Sequence, residues 1–174
     1  MSKKILLICT GNTCRSPMAA ALLRKILEKR GKLSPEIQIA SAGLYAYPGA
    51  PASAEAVAAM QEYGVDLTDH RARGVAREEL LAADLILTMT ARHKEQLVRE
   101  YPEIKEKVHV LRAFVAEQRQ KRGRDGQDGG PGTGNDPSGY DLPDPFGQDL
   151  EVYRQCAALL NAELEGLVEL LDDE

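Results

Sequence analysis

Ile5-Leu6-Leu7-Ile8-Cys9 runs directly into Thr10-Gly11-Asn12-Thr13-Cys14-Arg15-Ser16-Pro17. Five apolar residues without polar alternation read as a strand buried on both faces, as in a parallel sheet covered by helices. The polar segment 10–15, with one glycine, reads as a turn. Ser16 and Pro17 then read as a helix start, with serine as the cap and proline at the first helical position. That helix carries Met18, Ala21, Leu22 and Ile26 on its apolar side and stops at Gly31.

Moving outward, the pattern repeats. Residues 37–40 read as a second strand, 52–63 as a helix stopped by Gly64, and 85–87 as a third strand. Residues 91–101 read as a helix ended by Pro102, 108–111 as a fourth strand, and 150–171 as a long amphipathic helix. Strands alternating with helices predict an α/β fold whose parallel sheet is covered on both faces. The length of 174 residues suits one domain, 1–174, large enough to hold a core without staples. One stretch stands apart. Residues 117–139 hold seven glycines, four bases and four acids, and no Val, Leu, Ile or Met stands between Val115 and Leu142. This composition predicts a flexible insertion; a functional lid is the alternative.

Apolar residues make up 43% and charged residues 28%, which excludes wholesale disorder and fibrous classes. No apolar run is long enough to span a bilayer, and the run at 5–8 is too short for the core of a secretory signal, so no membrane association is expected. Three cysteines are too few and too odd in number for a disulfide scaffold, so a reducing cytoplasmic location is expected. The net charge of −5 argues against nucleic acid as a partner. The charge is uneven, however. Residues 1–35 carry eight bases against Glu28, and residues 148–174 carry eight acids against Arg154. Two solvated helix faces explain this; an anion-attracting amino-terminal half is the sharper reading.

The chemistry concentrates in Cys9-x5-Arg15-Ser16, at a strand-to-helix junction. A loop there can wrap into a cradle of backbone N–H groups, Thr10, Gly11, Asn12, Thr13 and Cys14 among them, with the positive end of the helix behind it. Such a cradle takes a tetrahedral oxyanion, and Arg15 can close it with a bidentate fork. The same field favours the thiolate form of Cys9, which is the nucleophilic form. Ser16 can cap the helix and hydrogen-bond the sulfur. The alternative is a buried, inert cysteine beside a structural arginine. Phosphoryl transfer through cysteine also needs a proton donor for the leaving group. Asp144, in Asp144-Pro145-Phe146-Gly147, is the candidate, because Pro145 stiffens its backbone and Phe146 anchors the loop. A second Asp-Pro, Asp136-Pro137, sits in the glycine-rich stretch and is the weaker choice.

The sequence resembles the low-molecular-weight protein-tyrosine-phosphatase family over residues 4–116 and 140–171. The motifs that carry the resemblance are C-T-G-N-T-C-R-S-P-M-A at 9–19, S-A-G at 41–43, D-H-R-A-R at 69–73, A-D-L-I-L-T-M-T at 83–90 and D-P-F-G at 144–147. The resemblance implies a three-layer, four-stranded parallel sheet. It implies Cys9 as nucleophile, Arg15 as phosphate clamp and Asp144 as general acid and then base. It further implies a polar network of Asn12, Ser16, Ser41 and His70 that holds the loop in shape. From the residues alone, His70 reads as an exposed loop histidine. No cofactor and no metal is expected, and His93 and His109 lack metal-ligand spacing.

Thr13 bears on the substrate. Tyrosine-specific relatives usually carry a bulky aliphatic residue there, and the branch resembling bacterial protein-arginine-phosphatases carries threonine. This implies phosphoarginine on proteins as substrate, with phosphotyrosine as the alternative and Tyr45, Tyr47 and Phe146 as walls for an aromatic ring. Arsenate reductase would need resolving cysteines within 80–116, where there are none. A phosphate-binding module without turnover would not need Cys9, Arg15 and Asp144 together. A monomer is expected. Cys14 shares the loop with Cys9, so peroxide is expected to join the two in a reversible disulfide. Cys156, on the long amphipathic helix, reads as core.

Overall fold

The computed structural model describes residues 2–123 and 137–172. Its strands are β1 (Lys3–Cys9), β2 (Ile37–Gly43), β3 (Leu85–Thr88) and β4 (Val108–Val110). They form one sheet in the order β2-β1-β3-β4, with every pair parallel. The helices are α1 (Arg15–Lys29), α2 (Ala54–Gln61), α3 (Arg77–Ala82), α4 (Ala91–Glu100), α5 (Leu111–Lys121) and α6 (Leu150–Asp172).

The alternation of β1 divides the core. Ile5, Leu7 and Cys9 face a cluster built by α1, α2, α5 and α6, whereas Leu6 and Ile8 face one built with Leu80, Leu97 and Ile104. Residues 5–8 are fully buried, which is why the run shows no polar alternation. Burying each such side chain is worth about 1.5–3 kcal/mol. The three-layer α/β expectation holds, and the central position of β1 places its carboxyl end, and the loop after it, at the middle of the sheet.

Several boundaries differ from the sequence reading. Ser16 does not cap α1: the helix begins two residues earlier, at Arg15, with Cys14 as its cap and no side-chain capping bond. The Ser16 hydroxyl is held elsewhere, as described below. Strand β2 continues past residue 40 to Gly43, because 41–43 pair with 7–9 of β1. Helix α2 starts late, because Ser53 takes the cap and accepts from Ala56 N at 3.2 Å. Leu111 opens α5 rather than closing β4. That helix reaches Lys121, so the first five residues of the glycine-rich stretch are helical. Residues 137–140 form a single 3-10 turn. The expectation of a flexible insertion concerns mainly 124–136, which lie outside the described residues.

Strand β2 lies at the outer edge of the sheet. Two of its outward carbonyls are taken by side chains, Arg24 Nη2 donating to Ile39 O at 2.5 Å and Arg73 Nε to Ser41 O at 3.0 Å, and a third, that of Gly43, accepts from Val75 N at 3.2 Å. The opposite edge, β4, is only three residues long. No helix among the described residues is long and apolar enough to cross a membrane.

Candidate active site

The loop leaving β1 turns back over the β1–β2 junction. Leu44 N donates to Cys9 O at 3.0 Å and Tyr45 N to Thr10 O at 2.9 Å. Gly43 lets the two segments approach, because a Cβ there would stand 2.6 Å from the Thr10 carbonyl oxygen and 2.9 Å from the Asn12 nitrogen. Asn12 takes a left-handed φ of 55°, and it is the only described non-glycine residue with a positive φ.

Asn12 is the hub of the loop and is fully buried. Its Nδ2 donates to Ser16 Oγ at 2.8 Å and to Ser41 Oγ at 2.9 Å. Its Oδ1 accepts from Arg73 N at 3.0 Å, and its carbonyl lies 2.7 Å from His70 Nε2. His70 is therefore a half-buried loop support and not an exposed histidine. Burial comes first, and the charges of Arg71, Arg24 and Arg73 add to it, in holding its pKa below the ordinary value. Arg73 is itself paired with Glu79, which Lys4 also contacts.

Cys9 Sγ is buried, 2.9 Å from Ser16 Oγ. A cavity of about 190 Å³ opens above it, lined by Cys9, Thr10, Gly11, Thr13, Cys14, Arg15, Asp144 and Phe146. The backbone N–H groups of Gly11, Thr13, Cys14 and Arg15 have no acceptor among the described residues. These unpaired donors stand beside the start of α1, which adds its dipole. The cavity thus presents convergent donors beside the Cys9 sulfur, the inventory of an oxyanion site.

Arg15 is 4% exposed. Its Nη1 donates to Leu142 O at 3.0 Å, and its Nη2 reaches Thr10 Oγ1 at 3.4 Å and Asp144 Oδ2 at 3.4 Å. Asp144 is half exposed. Its Oδ1 accepts from Phe146 N at 3.1 Å, and Gln148 N closes the turn onto Pro145 O at 2.9 Å. Gly147 supplies the positive φ of 78° that this turn requires. The structure thus brings Cys9, Arg15 and Asp144 to one cavity, with Thr13 on its wall and Ser16, Asn12, Ser41 and His70 behind it. Phe146 lines the mouth. Tyr45 and Tyr47 do not: they are 69% and 81% exposed, and Tyr45 Oη accepts from Gln96 Nε2.

Four supports escaped the sequence reading. Tyr153 Oη lies 3.2 Å from Cys14 Sγ, and Ser53 lies 3.6 Å from the same sulfur. The Leu142 carbonyl anchors Arg15. His93 Nε2 lies 2.8 Å from Thr10 Oγ1. The spacing of Tyr153 with Cys156, Ala157 and Leu160 marks it as core, but nothing in that spacing points to Cys14. Cys156 is buried, as expected, and burial pushes its thiol up to about 12. All three cysteines are free. No group of three or more His, Cys, Asp or Glu side chains among the described residues is placed to hold a metal ion.

A cysteine in an anion cradle at the carboxyl end of a central parallel strand, with an aspartate on a separate loop beside it, suits a phosphatase, and the relatives place the chain among the protein phosphatases. Residues 4–127 match the family described as low molecular weight phosphotyrosine protein phosphatase, and the chain belongs to that family. A protein-arginine-phosphatase of Geobacillus stearothermophilus is 37% identical over 174 residues, spanning 100% of this chain and 99% of its own. A probable low molecular weight protein-tyrosine-phosphatase, EpsP, of Ralstonia solanacearum is 41% identical over 168 residues, spanning 97% and 95%. Among solved structures, a YwlE arginine phosphatase mutant with a phosphorylated active site serine superposes with a TM-score of 0.80 at 32% identity, covering 98% of this chain and 97% of its own.

Proposed function

We propose that this protein is a cytoplasmic phosphatase, a single domain over 1–174, that removes phosphate from arginine side chains of proteins. The Cys9 thiolate attacks phosphorus while the loop amides and Arg15 bind the equatorial oxygens. The P–N bond breaks, its electron pair stays on the guanidine nitrogen, and the Asp144 carboxyl gives that nitrogen a proton. The Asp144 carboxylate then takes a proton from water as its oxygen attacks the phosphocysteine, releasing phosphate and the thiolate. Ser16, 2.9 Å from the sulfur, stabilises that departing charge. Cys14, a free thiol on the same loop, is the partner we assign to Cys9 under oxidation.

The observation that carries the arginine reading is Thr13 on the wall of the cavity shared by Cys9 and Asp144. Its β-branched side chain is stiff, and its backbone carbonyl is pinned by Ser53 N at 3.0 Å. A hydroxyl fixed there suits the guanidinium group or the attacking water. The full-length likeness to a protein-arginine-phosphatase supports this reading. The likeness to a tyrosine phosphatase, with Phe146 at the cavity mouth, favours phosphotyrosine as the second reading.

The deciding measurement compares kcat/KM for a phosphoarginine peptide and a matched phosphotyrosine peptide, in the wild type and in Thr13→Ile. A preference for phosphoarginine that falls or reverses in Thr13→Ile supports the proposal. A preference for phosphotyrosine that the substitution leaves alone overturns it.

A further inference from the structure

His93 sits in the first turn of α4, its backbone N–H donating to the Thr90 cap at 3.2 Å. The side chain is 6% exposed. Its Nε2 lies 2.8 Å from Thr10 Oγ1, and its buried Nδ1 has no hydrogen-bond partner among the described residues. Burial, reinforced by the charge of Arg15 and opposed by that of Asp144, pushes its pKa down to about 4. The ring is therefore neutral near neutral pH and carries one N–H.

Where that hydrogen sits decides what Thr10 can do. With the hydrogen on Nδ1, a buried donor is orphaned and the Thr10 hydroxyl spends its own hydrogen on Nε2. With the hydrogen on Nε2, the orphan is a lone pair. Buried N–H groups without an acceptor are rarer than under-used acceptors, so the second arrangement wins. His93 then donates to Thr10 Oγ1, and Arg15 Nη2 approaches the same oxygen at 3.4 Å. Both lone pairs of Oγ1 are engaged, and its hydroxyl hydrogen is left to point elsewhere. Thr10 lines the cavity above Cys9.

We propose that His93 is a positioning residue that fixes the Thr10 hydroxyl as a hydrogen-bond donor into the phosphate cradle, adding a side-chain donor to the loop amides and Arg15. The proposal rests on the phosphatase reading of the loop. The donor strengthens as charge gathers on the equatorial oxygens, so its contribution falls on kcat more than on KM.

The test uses the full chain with an aryl phosphate as substrate and orthovanadate and inorganic phosphate as inhibitors. Thr10→Val, which keeps the shape and removes the hydroxyl, is expected to lower kcat about a hundredfold, the usual effect of losing one oxyanion donor. Vanadate inhibition should weaken more than phosphate inhibition. Thr10→Ser should recover most of the loss. His93→Leu should lower kcat comparably, His93→Gln should recover part of it, and the double variant Thr10→Val/His93→Leu should be no worse than Thr10→Val alone. Nitrogen-detected NMR of the wild-type imidazole, which needs no variant to fold, should find the hydrogen on Nε2. A hydrogen on Nδ1, a kcat unmoved by Thr10→Val, or losses that multiply in the double variant would each overturn the proposal. A wild type without turnover would instead refute the phosphatase reading itself.

Discussion

Asn12 occupies a left-handed backbone position that few side chains tolerate, and the loop is built around it. Its three side-chain bonds hold Ser16, Ser41 and the Arg73 amide, so backbone strain and polar satisfaction meet at the same residue. Gly43 is the counterpart on β2. Gly43→Ala places a methyl against two backbone atoms that cannot rotate aside, so it is expected to cost at least about 1–3 kcal/mol. The measurement is urea denaturation, with kcat falling in parallel as the loop is pushed off Cys9. Gly74→Ala is the control, because its new methyl meets nothing closer than 4.0 Å. The three candidates that line one cavity were legible to different degrees: Cys9 and Arg15 stand in a distinctive spacing at a strand-to-helix junction, whereas Asp144 was marked only by its Asp-Pro turn. Their supports were not. A backbone carbonyl such as that of Leu142 has no sequence signature, and the pairing of His93 with Thr10 spans 83 positions.

Among the elements, the strands were legible because each is a short apolar run next to a turn. Helix α5 was missed although Leu111, Phe114 and Val115 already carry the i, i+3, i+4 spacing; the polar remainder up to Lys121 hid it. Helix α3 spans six residues and buries only Leu80, too little for a period to register. The uneven charge found in the sequence has a structural destination. Arg30, just past the end of α1, meets Glu165 at 2.6 Å, Asp172 at 3.5 Å and Glu169 at 3.7 Å on α6, and Lys32 pairs with Asp172. Two of the eight amino-terminal bases and three of the eight carboxyl-terminal acids are therefore paired with one another across partly exposed helix ends. Arg30→Glu sets like charges against each other and is expected to cost about 1 kcal/mol at low salt. The difference in melting temperature from wild type should shrink at high sodium chloride, because these groups are partly exposed and screened.

For the molecule as a whole, acid should destabilise. His93, His70 and His109 are all held below the ordinary histidine range, chiefly by burial. The unfolded chain therefore binds those protons first. Stability is full above about pH 6.5 and falls as the pH drops toward about 4, where His93 itself titrates. The His93 share is about 3 kcal/mol at most, because each tenfold loss of proton affinity on folding is worth about 1.4 kcal/mol. Glu79 and Asp66, also held low, add losses of the same sign below about pH 4.5. Urea midpoints at about pH 7, 5.5 and 4.5 should fall in that order, and by less in His93→Gln; a flat series would refute this account. The two rims of the sheet carry a last consequence. Strand β2 has the length to template another chain, yet its Ile39 and Ser41 carbonyls are already occupied by Arg24 and Arg73. A foreign segment would have to evict two guanidinium groups to dock there, and β4 offers only three residues. The same arginine that steadies the phosphate loop thus also guards the molecule against amyloid-like self-templating.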